Sequence, residues 1–102
     1  MQKLKKREIY MISSIIPDGF FEFSIFKLTR LGETDELLCR FQYNFHSMNS
    51  LGNLIADNVQ LVIDDVNRFL CLKNYAFTDK ALFYVENELF NIFNGYSLDF
   101  KK

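Results

Sequence analysis

Few residues in this chain have the type and spacing to do chemistry. There are two cysteines, Cys39 and Cys71, one histidine, His46, and one acidic cluster on a single segment, Asp57, Asp64 and Asp65. A thiol nucleophile needs a base within hydrogen-bond reach. His46 is the only imidazole, and in an extended strand it has the opposite parity to Cys39, so the two point to opposite faces. A strand–helix junction suits His46 better as a surface or capping residue. One histidine and two cysteines do not make a zinc set. The thiols read as two buried free cysteines in a reducing, cytoplasmic setting.

Asp57 and Asp64 are seven apart. On a helix that is about two turns, or roughly 10 Å along the axis, within the span of carboxylate pairs that hold a water between them. General acid–base work also needs an enclosing apolar wall, and the neighbouring sequence supplies none. A solvated helix face is the simpler reading. The four glycines, Gly19, Gly32, Gly52 and Gly95, are scattered and form no phosphate-binding loop. Nothing here predicts a catalytic, metal or cofactor site.

Charge offers binding rather than catalysis. The net charge is −1, yet Lys3, Lys5, Lys6 and Arg7 crowd the first seven residues and leave the remainder acidic. Residues 1–7 read as a frayed basic tail, or as an arm for phosphate or an acidic partner. The basic start followed by apolar residues 9–16 resembles a secretory signal only superficially. Glu8 and Ser13-Ser14 interrupt it, and Pro17-Asp18-Gly19 stands where small residues belong. No apolar run reaches the roughly 20 residues of a membrane span.

The elements that must hold these residues begin with a hairpin, residues 20–31 and 36–45 around a turn at 32–35. In its second strand Leu37, Cys39, Phe41, Tyr43 and Phe45 alternate with Glu36, Leu38, Arg40, Gln42 and Asn44, which predicts one buried and one wet face. In the first strand the apolar parity changes: Phe21, Phe23 and Ile25 are odd, Phe26 and Leu28 even. One extra residue repairs the mismatch, so a β-bulge is expected at Ile25 or Phe26. Residues 8–16 read as a third strand, joined through Pro17-Asp18-Gly19. Its expected register sets Ile15 against Phe21, Ser13 against Phe23 and Met11 against Ile25.

Beyond a connector at 46–50, where Asn49 or Ser50 would cap, Leu51, Leu54, Ile55, Val59, Val62, Val66, Phe69 and Leu70 follow helical spacing. Residues 59–63 alone would also fit a strand. Residues 73–77 read as a loop and Thr78 as the N-cap of a second helix, with Gly95 ending it near Asn94. That helix has a wide stripe, Leu82, Val85, Leu89, Ile92 and Phe93 with Phe83 and Phe90, fit for burial on two sides or against a second copy. Residues 96–100 alternate like an edge strand.

The expected fold is α+β: a single domain over 1–102, with a three-stranded antiparallel meander covered on one face by two C-terminal helices. Twelve phenylalanines and five tyrosines give such a chain its core. The expected function is a small non-enzymatic protein-binding module that occludes a partner, as immunity proteins and phage or mobile-element inhibitors do. That is an analogy of class. Its polar stripe, Asp57, Gln60, Asp64 and Asn67, would meet a basic partner surface. One alternative is a nucleic-acid accessory protein using Lys3, Lys5, Lys6 and Arg7, although the acidic remainder disfavours it. Another is a self-associating structural protein, a homodimer through the second helix. An aromatic platform for single strands would require Phe21, Phe23, Phe41 and Tyr43 to be exposed.

Overall fold

The computed structural model describes residues 1–16, 20–44 and 53–100, with side chains described except at 15, 16, 20, 44, 53–56 and 96–100. The expected turn at Pro17, the connector with His46 and the caps at Asn49 and Ser50 lie outside the described residues. In chain order the elements are β1 (Gln2–Leu4), a 3-10 turn (Lys6–Glu8), β2 (Ile9–Ile16), β3 (Phe20–Lys27), β4 (Glu36–Asn44), α1 (Asn53–Leu72), β5 (Tyr75–Phe77) and α2 (Asp79–Phe100). The architecture is α+β.

Strands β2, β3 and β4 form an antiparallel sheet in that spatial order. Ile15 pairs with Phe21, Ser13 with Phe23 and Met11 with Ile25, the register expected from the sequence. The β3–β4 ladder shifts between Ile25 and Phe26, where the bulge was expected. The extra residue, however, belongs to β4. Phe26 pairs with Leu37 and Ile25 with Cys39, so Leu38 is the insertion.

This corrects two assignments of face. β3 keeps one parity throughout, and Phe26 stays on the outer face, stacked on Tyr10 at 5.1 Å between ring centroids. Leu38, expected outside, is buried, while Leu37, expected inside, is 37% exposed. A bulge turns the side chains that follow it to the other face.

The hairpin loop is also longer than expected, since pairing stops at Lys27–Glu36. Side chains satisfy the backbone instead of the ladder. Thr29 N–H donates to the Asp35 carboxylate at 3.1 Å, and Thr29 Oγ1 donates to the carbonyls of Glu33 and Thr34, each at 3.2 Å. Gly32, at φ 90°, takes the left-handed position that glycine adopts cheaply.

The Thr29 N–H and the Tyr10 hydroxyl, 2.8 Å away, hold Asp35 below the usual carboxylate range. A carboxylate lowered on folding stabilises the fold above its ordinary pKa, and the gain is lost as pH falls through the folded value. Stability is therefore expected to drop on the acid side below pH ~4. Asp35→Asn should flatten that limb of a pH-dependent denaturation series; an unchanged limb would rule Asp35 out as its source.

The inner face of the sheet carries Phe21, Phe23, Ile25, Leu38 and Cys39 into one core with Val59, Val62, Ile63, Val66 and Leu70 of α1 and Ala81, Val85, Leu89 and Phe93 of α2. Phe23 lies 5.5 Å from Phe41 and 6.0 Å from Tyr43, spacings at which offset rings attract. Residues 59–63 are helical, because the apolar spacing around them continues at 3.6 over the whole segment. α1 ends where Asn74 adopts φ 66°, a left-handed stop that asparagine tolerates.

Two stretches read as irregular form a second sheet. Residues 1–7 are no frayed tail, and residues 73–77 are not merely a loop. β1 pairs parallel to β5, with Gln2 against Tyr75, Lys3 against Ala76 and Leu4 against Phe77. Leu4 is fully buried and Phe77 nearly so.

Thr78 caps α2 as expected, its Oγ1 accepting from the Ala81 N–H at 3.2 Å. Thr78→Ala should cost about 1 kcal/mol in chemical denaturation, with Thr78→Ser close to wild type. A neutral alanine variant would show that the cap contributes nothing. α2 runs through Gly95 to Phe100, so neither the stop near Asn94 nor the edge strand at 96–100 forms. Glycine ends a helix by going left-handed, whereas Gly95 has open space at its Cβ position and no such φ. Phe83 and Phe90, expected in a buried stripe, are 65% and 42% exposed.

Candidate functional site

The pairing of β1 with β5 decides where the basic segment goes. Leu4 is pinned in the core, and its carbonyl accepts the Thr78 N–H at 2.9 Å, so the chain turns beside the start of α2. The Lys6–Glu8 turn follows, closed by the Glu8 N–H donating to the Lys5 carbonyl at 2.9 Å. Lys5, Lys6 and Arg7 are thereby held against Thr78, Asp79 and Lys80, some seventy residues later in the chain. Between the two segments is a groove of about 670 Å³ lined, among the described residues, by these six. A smaller hollow of about 290 Å³ adjoins it, lined by Lys6, Asp79, Lys80 and Phe83.

Four basic residues and one acidic residue are among those that line the groove. Lys6 Nζ lies 5.7 Å from the centre of the Tyr84 ring, within cation–π range, so its ammonium is steered by α2. Lys3 is exposed on β1 and does not line the groove. Sequence reasoning found Lys5, Lys6 and Arg7, missed Lys80, and placed Phe83 in a stripe buried on two sides or against a second copy rather than beside the basic segment. Only the β1–β5 pairing carries the first segment to the second, and three residues per strand are too few for a periodic signal.

The stripe first expected to bind a partner is present as a surface. Asp57, Gln60, Asp64 and Asn67 are all exposed on α1. Gln60 Nε2 donates to Asp64 Oδ1 at 2.8 Å. The same face carries residues four places on from each aspartate, and these are the half-exposed Leu61 and the exposed Arg68. The face is thus less acidic than the four residues alone imply. Asp65 belongs elsewhere. It accepts the Tyr43 hydroxyl at 2.8 Å and pairs with Arg68 at 3.4 Å, tying β4 to α1. Burial, with Asp65 beside it, raises the Tyr43 pKa, so the phenol stays protonated.

Both cysteines are free, but only Cys39 is buried. Burial pushes its thiol up to about 12 against a weaker opposing hydrogen bond with the Ile25 backbone, so it is no nucleophile at neutral pH. Cys71, expected inside, is exposed, because it sits one position beyond the buried Leu70 and faces away from the core. A disulfide-exchange reagent at pH 8 is expected to titrate one thiol in the native protein and a second only in denaturant. Two thiols reacting at equal rates would contradict the burial of Cys39.

No group of three or more histidine, cysteine, aspartate or glutamate residues is placed to hold a metal among the described residues. No helix among them is long and apolar enough to cross a membrane. Phe21 and Phe23 are buried, and Phe41 and Tyr43 pack against the core, so these rings are not an open stacking platform. On the outer sheet face Gln42 Nε2 donates to Glu22 at 2.8 Å and Arg40 Nε to Ser24 Oγ at 3.3 Å. Set against models of protein families, curated proteins and solved structures, the chain matches none.

Proposed function

We propose that this chain is a small non-enzymatic binding module that recognises an acidic segment of a partner protein in the groove of Lys5, Lys6, Arg7 and Lys80. The observation that carries the reading is convergence: two segments far apart in sequence bring four basic residues to the lining of one hollow, with the exposed Phe83 beside it. Clustered cations with an apolar anchor suit a chain carrying carboxylates and a large apolar side chain. Buried apolar anchors supply most of the affinity at such surfaces, and charges set on-rate and specificity. Occluding the bound segment would make the module an inhibitor.

The groove replaces the α1 stripe as the preferred surface and reverses the expected sign of the partner. It favours protein over nucleic acid, because the rest of the surface is acidic and would repel a long phosphate backbone.

The test is fluorescence anisotropy with a labelled peptide alternating glutamate with leucine and phenylalanine, run beside single- and double-stranded oligonucleotides. The peptide should bind, more weakly as salt rises. Lys5→Glu with Lys80→Glu should weaken it by at least about tenfold, or roughly 1.4 kcal/mol. Tighter oligonucleotide binding through the same residues would replace the reading. Peptide affinity unmoved by the double variant would end it.

A further inference from the structure

We infer that the edge of β2 left unpaired by the described residues is a pairing surface for a second copy of this chain, with two β2 strands joined antiparallel about a two-fold axis at Ile12. The hydrogen-bond phase of the sheet comes first. Leu28 N–H donates to the Glu8 carbonyl at 2.8 Å, which makes Glu8–Leu28 a hydrogen-bonded pair. Such pairs alternate along an antiparallel ladder. The even residues of β2 therefore bond to β3, and Met11, Ser13 and Ile15 turn their N–H and C=O groups to the open side, as Ile9 does its C=O, the Ile9 N–H being bonded to the Lys6 carbonyl. β2 is an outer strand of its sheet.

The two edges of the sheet differ. β4 carries Glu36, Arg40 and the Leu38 bulge, which are devices that keep an edge from pairing. β2 is eight residues long, Ile-Tyr-Met-Ile-Ser-Ser-Ile-Ile, with no charge, proline or register shift. Ser13 is exposed although its side chain points to the helix-covered face, so α2 leaves this edge accessible.

The occupant follows from self-complementarity. Setting Met11 against Ser13 of a copy, and Ile9 against Ile15, pairs outward-facing residues with outward-facing residues. Such a joint makes about six hydrogen bonds, since the Ile9 N–H of each copy is already held by its own Lys6 carbonyl. The two Ile12 side chains, each 52% exposed here, meet across the axis on the outer face. Tyr10 comes opposite Ser14. No charge meets a like charge, so copies do not repel along the joint. The result is a symmetric six-stranded sheet with all helices on one face.

Sedimentation of the full chain over a wide concentration range tests this. A species of twice 12.1 kDa is expected. It should be lost in Ile12→Lys, which sets two ammonium groups against each other without touching the core; circular dichroism confirms that the variant is folded. A second readout needs no disruption. In a Cys71→Ser background, Ile12→Cys should form an intermolecular disulfide on mild oxidation, because directly opposed residues of a non-hydrogen-bonded pair lie about 4.5 Å apart at Cα. Ser14→Cys, which faces Tyr10 instead of itself, should not. A monomer at all concentrations, a dimer untouched by Ile12→Lys, or equal cross-linking at both positions would each overturn the inference.

Discussion

Phe23→Ala is expected to lower stability by about 3–5 kcal/mol, the usual cost of emptying a buried phenylalanine site. Phe23 has no exposed surface. Its ring is flanked by Phe21, Phe41 and Tyr43 at 5.5–6.0 Å, so truncation removes hydrophobic area and every one of these ring contacts. The neighbours are constrained by the ladder and cannot collapse into the space. Domains of this size hold about 5–15 kcal/mol in total, and each kcal/mol shifts Tm by about 4–8 °C. The variant should melt some 15 °C lower or more, with the urea midpoint reduced and the slope preserved. Phe83→Ala, at a site 65% exposed, should stay within about 0.5 kcal/mol of wild type. Equal losses at the two positions would show that burial is not what ranks these phenylalanines.

The second large effect is expected where the sequence reads as a dispensable tail. Leu4→Ala should cost about 2–4 kcal/mol. Leu4 is fully buried, and β1 is tied by the Gln2 N–H donating to the Asn74 carbonyl at 3.1 Å and by the Leu4 carbonyl accepting from Thr78. Lys3→Ala, one residue earlier and exposed, should be close to neutral. A frayed terminus predicts no change for either variant, so the pair of substitutions decides the matter by chemical denaturation. Leu4→Ala should also weaken acidic-peptide binding, because it loosens the segment that carries Lys5, Lys6 and Arg7 into the groove. Lost stability with undiminished affinity would detach the groove from β1.

The α+β fold could be read from the chain because its signals are local and repeated. The alternation of Cys39, Phe41 and Tyr43 and the helical spacing of Val59, Val62, Val66 and Leu70 each depend on neighbours within a few residues. The β2–β3 register followed from pairing across residues 17–19. The parity change between Phe21, Phe23, Ile25 and Phe26 pointed to the step at which the ladder shifts, although Phe26 is not turned inward there.

Tertiary contacts decided what those signals leave degenerate. The extra residue is Leu38 of β4, which turns inward beside Cys39, while Phe26 keeps its parity and packs outside on Tyr10. β1 and β5 are three residues each and pair across some seventy residues. Neither has a period of its own, and burial of Leu4 and Phe77 in a shared core joins the hydrogen bonds between them in stabilising both. The groove exists because of that pairing. The residue types of the basic segment were plain in the sequence, but their partners, Lys80 and Phe83, were set by a contact that no local pattern encodes.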